Sequence, residues 1–100
     1  MNANSYHFFK VISNNTRWVI ISALYSKSLC VNDISSITKI EQSKISHSLK
    51  VLSDCNIVFK RRDGKQIIYS LNTKTIKPIL RILETHQDNF CRGNCKLCKK

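Results

Sequence analysis

Glycine and proline are scarce in this chain, with two and one in a hundred residues. No repeat or low-complexity segment appears, so the sequence is not a linker or fibrous array. No stretch approaches the roughly 20 apolar residues of a membrane span. The start, "MNANSYHFFK", lacks a signal peptide's basic-then-apolar order, so the chain is expected in the cytosol, where thiols stay reduced. Acidic residues are few, six against seventeen Lys and Arg, for a net charge of +11. That excess points to a polyanion, and nucleic acid fits it better than a membrane surface, because the cations are spread along the chain. No acid–base or nucleophile constellation is present, which argues against an enzyme. Five cysteines is an odd count and rules out complete pairing within one chain.

What is present is mostly helical spacing. "YHFFKVIS" is an apolar run with Tyr6 and Phe9 on one side and Phe8 and Ile12 on another. "NNT" reads as a stop and restart, with Asn15 as the expected N-cap of the next helix. "TRWVIISALYS" places Val19, Ile20, Ala23 and Leu24 at core spacing. Two short helices follow, "VNDISSIT" with Val31, Ile34 and Ile37 on one face, and "QSKISHSLKVLSD" with Ile45, Leu49 and Leu52 on one face. Ser43, His47, Lys50 and Asp54 fall opposite. The linker "KIE" allows only a tight turn, so the pair forms a helix-turn-helix.

The period then changes from helix to strand. In "CNIVFKRRDGKQIIYSLN", Ile57 and Phe59 alternate, as do Ile67, Tyr69 and Leu71, around the turn signal Asp63-Gly64. Lys60, Arg61, Arg62 and Lys65 surround the tip of this ribbon. A last helix, "TKTIKPILRILETHQDNF", has an apolar stripe of Ile76, Ile79, Leu80 and Leu83, and Pro78 either kinks it or marks its start.

This order predicts a mostly α fold with a small β-hairpin, a winged helix-turn-helix. The residues "FFKVISNNTRWVIISAL", "SKISHSLKVLSDCNIV" and "RRDGKQIIYSL" resemble the opening, recognition helix and wing of the ArsR/SmtB family of repressors, over roughly residues 8 to 86. Two positions depart from the family's habit: Lys39 and Asn56 stand where glycine is usual, before and after the recognition helix. The resemblance implies a repressor that is a two-fold dimer through its first and last helices. The expected organisation is a DNA-binding and dimerisation domain at 1–90 and a cysteine-rich tail at 91–100.

The recognition helix is expected in the major groove, with Gln42, Ser43, Lys44, Ser46, His47 and Lys50 facing the duplex. Gln can pair bidentately with adenine, and Ser and Lys reach several base edges. Arg61, Arg62 and Lys65 on the wing are expected at phosphates or the minor groove.

Two sensing sites of the resembled family are incomplete here. In "SLCVNDI" Cys30 keeps one thiol of a Cys box, but Asn32 replaces the second. On the last helix, of the ligand positions, only His86 remains. The candidate metal ligands are therefore Cys91, Cys95 and Cys98 in "CRGNCKLCKK". On a continuous helix the outer two lie about 10.5 Å apart along the axis, too far for thiolates that must approach a zinc ion to about 2.3 Å. Gly93-Asn94 supplies the break that lets them converge, and Arg92, Lys96, Lys99 and Lys100 favour thiolates. Three thiolates suit trivalent arsenic or antimony; zinc would need a fourth ligand, and copper(I) also accepts thiolates. The alternatives are a thiol-redox switch, and a constitutive viral or chromosomal DNA-binding protein whose tail senses nothing. Cys55 is read as packing in the core.

Overall fold

The computed structural model describes residues 3–90. Their order is α1 (Ala3–Ile12), α2 (Asn15–Ser26), α3 (Val31–Thr38), α4 (Gln42–Asp54), β1 (Val58–Asp63), β2 (Gln66–Leu71) and α5 (Ile76–Phe90). This is the expected mostly helical fold with one antiparallel hairpin. The segment 91–100, with Cys91, Cys95 and Cys98, lies outside the described residues.

The core is built by α2, α3, α4 and the base of the hairpin. Ile20, Ile21, Leu24, Ile34, Ile45, Leu49, Leu52, Ile57 and Val58 are all fully buried. The expected stripe of α4, Ile45, Leu49 and Leu52, is therefore wholly inside. Elsewhere the stripes shift. On α2, Ile21 is buried and Val19 only half-buried, because that helix is packed by α1, α3, α4 and β2 and so buries a wide face. On α3, Ile34 is buried but Ile37 is 58% exposed, since a helix of 8 residues has little length over which to keep one face covered.

Helix ends decide where these elements stop. Asn14, not Asn15, caps α2: its backbone is extended and its side chain accepts from the Arg17 N–H at 3.0 Å. Asn15 is already the first helical residue. Arg17 also reaches back, its Nε donating to the Val11 carbonyl at 2.6 Å, which joins α1 to α2.

The two expected non-glycine positions are the two that take left-handed backbone. Lys39 (φ 64°) ends α3, its N–H bonding the Ser35 carbonyl at 2.8 Å. Asn56 (φ 58°) follows α4. There the Asn56 N–H bonds the Ser53 carbonyl at 3.0 Å and the Ile57 N–H bonds the Leu52 carbonyl at 2.9 Å, the paired bonds of a Schellman ending. Leu52 and Ile57, brought together by it, are both buried.

The hairpin differs from expectation by one residue at each end. Ile57 precedes β1, and Val58 is the first strand residue and points inward, so Phe59 is turned out and is 49% exposed. Asp63 pairs with Gln66, which makes Gly64 and Lys65 the two turn residues. Gly64 has φ +66°, a conformation that fits glycine. β2 also pairs with the chain between α2 and α3, because Leu29 and Tyr69 exchange both backbone hydrogen bonds, at 3.0 and 2.8 Å.

Asn72 closes the hairpin. Its Nδ2 donates to the Asn56 carbonyl and its Oδ1 accepts from the N–H groups of Lys74 and Thr75. Residues 73–75 form this turn, so α5 starts at Ile76 and Pro78 falls in its first turn, where no helical partner is lost. Among the described residues, no helix is long and apolar enough to cross a membrane.

Candidate nucleic-acid interface

Helix α4 is held by one face and open on the other. Ile45, Ser48, Leu49 and Leu52 are buried, while Gln42, Ser43, Lys44, Ser46, His47 and Lys50 are all exposed. The helix turns every 3.6 residues, so this division gives a continuous outer face about three turns long. With α3 before it and the tight Lys39 turn between, α4 is placed as the second helix of a helix-turn-helix.

The turn is internally bonded. The Ser35 hydroxyl donates to the Ile40 carbonyl at 2.7 Å, and Thr38 Oγ1 accepts from the Ile40 N–H at 3.3 Å. These bonds tie the turn residue Ile40 to the end of α3 without a glycine.

Several outer-face groups are already engaged. Gln42 Nε2 donates to Asn32 Oδ1 on α3. The Ser43 hydroxyl donates to the Glu41 carboxylate at 2.9 Å, which leaves its oxygen as an acceptor. Lys50 and Asp54 form an exposed pair at 3.8 Å, so Lys50 is partly neutralised. Asn32 and Glu41 were not expected at this surface; Glu41's place just before the helix was the available signal, whereas Asn32 required knowledge of how the two helices cross.

The wing continues from the recognition helix through the Asn56 ending, so its position is fixed relative to α4. Lys60, Arg61, Arg62 and Lys65 are all exposed. Strand alternation puts Arg61 and Arg62 on opposite faces of the ribbon, opposite Ile68 and Ile67 respectively. Arg61 lies 3.9 Å from Asp63, an exposed ion pair. Arg62 and Lys65 have no such pair among the described residues.

Elsewhere an apolar surface is open. Phe9, Ile12, Trp18, Ile79, Leu80 and Leu83 line an open groove of about 510 Å³ between α1, α2 and α5. Tyr6, Phe9, Ile82 and Phe90 are 68%, 52%, 69% and 67% exposed.

Among the described residues, no group of three or more His, Cys, Asp and Glu could hold a metal ion. Cys30 is buried at the start of α3, and Cys55 packs against the core as expected. His86 is exposed, with its ring 5.3 Å from that of Phe90.

Residues 14–60 match the family described as bacterial regulatory protein, arsR family. A transcriptional repressor SmtB homolog of Synechocystis is 32% identical over 79% of this chain and 60% of its own length. An arsenical resistance operon repressor of Bacillus subtilis is 33% identical over 72% of this chain and 70% of its own. The solution structure of apo-NmtR, a regulator known from Mycobacterium tuberculosis, superposes with a TM-score of 0.79 at 26% identity, covering 94% of this chain and 79% of that one. These relatives are transcriptional regulators, not enzymes. The α4 outer face, the wing and the sequence matches agree, and the chain belongs to the arsR family of bacterial regulatory proteins, as a winged helix-turn-helix regulator of the ArsR/SmtB type.

Proposed function

We propose that the chain is a homodimeric repressor that binds double-stranded DNA and releases it when a thiophilic ion, trivalent arsenic first, joins Cys91, Cys95 and Cys98. The observation that carries the DNA-binding part is the outer face of α4, polar and exposed along its length while its inner face is locked in the core. Gln42, Ser43, Lys44, Ser46 and His47 read base edges, and Lys50 lies further along the same face. Arg61, Arg62 and Lys65 hold phosphates or the minor groove, which supplies affinity but little sequence information.

The apolar groove between α1 and α5 takes a second copy. Phe9, Trp18, Ile79 and Leu83 on its walls are exposed, and two-fold pairing covers them at once on both chains. Two recognition helices then lie about 34–36 Å apart, one turn of DNA.

The sensing part rests on the sequence of the tail, residues 91–100, joined to the domain of residues 1–90. Three thiols, four cations and a Gly-Asn break fit a three-sulfur ligand. The name of the Bacillus subtilis relative, an arsenical resistance repressor, supports that choice of ion. Ion binding and DNA binding oppose each other through one equilibrium, so each must weaken the other equally.

The test is DNA release measured against arsenite, antimonite, zinc, copper(I) and peroxide. Arsenite is expected to release the parent protein, and serine at any one tail cysteine to abolish release with DNA affinity retained. Release of the triple-serine protein by arsenite would sink the tail site. Release by peroxide alone would assign the thiols to redox sensing, and response to neither would leave a constitutive DNA-binding protein.

A further inference from the structure

The first turns of α3 and α4 are joined by one side-chain hydrogen bond, from Gln42 Nε2 to Asn32 Oδ1. Both side chains are exposed, and they belong to separate helices. A bond between exposed side chains adds little to folding, because water competes for both partners. Its effect lies in what it does to the Gln42 amide.

A glutamine amide carries one acceptor oxygen and two N–H donors. Asn32 takes one donor. Oε1 and the second N–H remain, and these are the pair that a bidentate contact with adenine N6 and N7 requires. Asn32 is itself an amide, so the reversed pair, with Asn32 Nδ2 donating to Gln42 Oε1, is bonded as well. In either sense the bond restrains a side chain that otherwise rotates freely.

We propose that Asn32 is a positioning residue for base recognition: it acts through Gln42, restraining that side chain where its amide reads adenine. The inference rests on the placement of α4 in the major groove.

The test compares the parent with Asn32→Ala, Asn32→Asp, Gln42→Ala and the Asn32→Ala/Gln42→Ala double variant. Each is measured in competition binding against the duplex selected from a random pool and against every single-base change in it. Asn32 is exposed, and alanine suits a helix, so folding should be unaffected. Asn32→Ala is expected to lower discrimination at the one base pair that Gln42→Ala also affects, by roughly two- to tenfold. It should leave random-duplex affinity and salt dependence unchanged. Adding Asn32→Ala to Gln42→Ala should change nothing more. Asn32→Asp keeps the acceptor, so it should retain discrimination while weakening all duplexes alike through its charge.

An unchanged base profile in Asn32→Ala would overturn the proposal. So would an equal further loss in the Gln42→Ala background, or a uniform loss on every duplex, which marks a mere clamp between helices. If His47→Ala alters the profile and Asn32→Ala does not, only this inference fails. If the parent prefers no duplex at all, the repressor reading fails with it.

Discussion

Replacing Ile82 with aspartate should separate the two copies of the proposed dimer, and the size of the effect follows from exposure. Ile82 is 69% exposed in the single chain, on the helix that also offers Ile79 at 38% and Leu83 at 37%. Full burial of an isoleucine side chain contributes about 1.5–3 kcal/mol, so covering the exposed part contributes about 1–2 kcal/mol. A two-fold interface uses the residue twice, which makes about 2–4 kcal/mol per dimer. At 1.4 kcal/mol for each factor of ten, the dimer Kd rises roughly 30- to 1,000-fold. The carboxylate adds a desolvation cost on top. The single chain should stay folded, because Ile82 is not among the residues packed in the core. Sedimentation equilibrium over a range of protein concentration reads the shift, and circular dichroism checks the fold. Ile37, 58% exposed, is the matched control, since it lies on α3 rather than on α5. The reasoning is refuted if the Ile82 variant associates as tightly as the parent, or if Ile37→Asp dissociates the dimer as much.

Lys39→Gly should raise the thermal midpoint at fixed protein concentration. Left-handed backbone costs a residue with a Cβ about 1–2 kcal/mol, and glycine gives back about 0.5–1 kcal/mol in chain entropy, so the net gain is up to about 1.5 kcal/mol, at about 4–8 °C for each kcal/mol. Asn56→Gly should gain less, since asparagine tolerates that conformation; an equal gain at both sites would contradict the assignment. Leu49→Ala should cost about 2–5 kcal/mol in a urea titration, because the side chain is fully buried. Arg62→Ala should weaken all duplexes alike and flatten the slope of log affinity against log salt by about 1, whereas Gln42→Ala should change which duplex is preferred.

Sequence was most informative where a residue's local chemistry decided the outcome. The spacing of Ile45, Leu49 and Leu52 was enough to orient α4, because only one face of that helix meets the core. Lys39 and Asn56 were legible as glycine substitutes, and both take positive φ. Legibility failed where a tertiary contact chose between neighbours. Asn14 and Asn15 cap equally well in principle, and the Arg17 contact with α1 sets which of them is outside the helix. Ile57, Val58 and Phe59 are all apolar, and the Schellman ending sets which two point inward. The residues named on α4 are exposed, but the bonds from Gln42 to Asn32 and from Ser43 to Glu41 do not follow from spacing. Asn32 read as a missing thiol; its amide acquires meaning only when α3 crosses α4. The tail cysteines lie beyond the described residues, and their role rests on chemistry and resemblance.

The two left-handed residues that bracket α4 also make it interchangeable. Lys39 and Asn56 stop the chain at fixed points on either side, and the buried stripe between them holds the rotation of the helix. Residues 42, 43, 44, 46 and 47 can therefore be randomised together without moving one another, as a cassette in a rigid frame. A one-residue insertion within the cassette is a different matter: it turns everything after it by about 100° and sends the core stripe outward. New operators should thus be reachable by exchange of side chains at constant length, and selection libraries built on this scaffold should vary identity and never register.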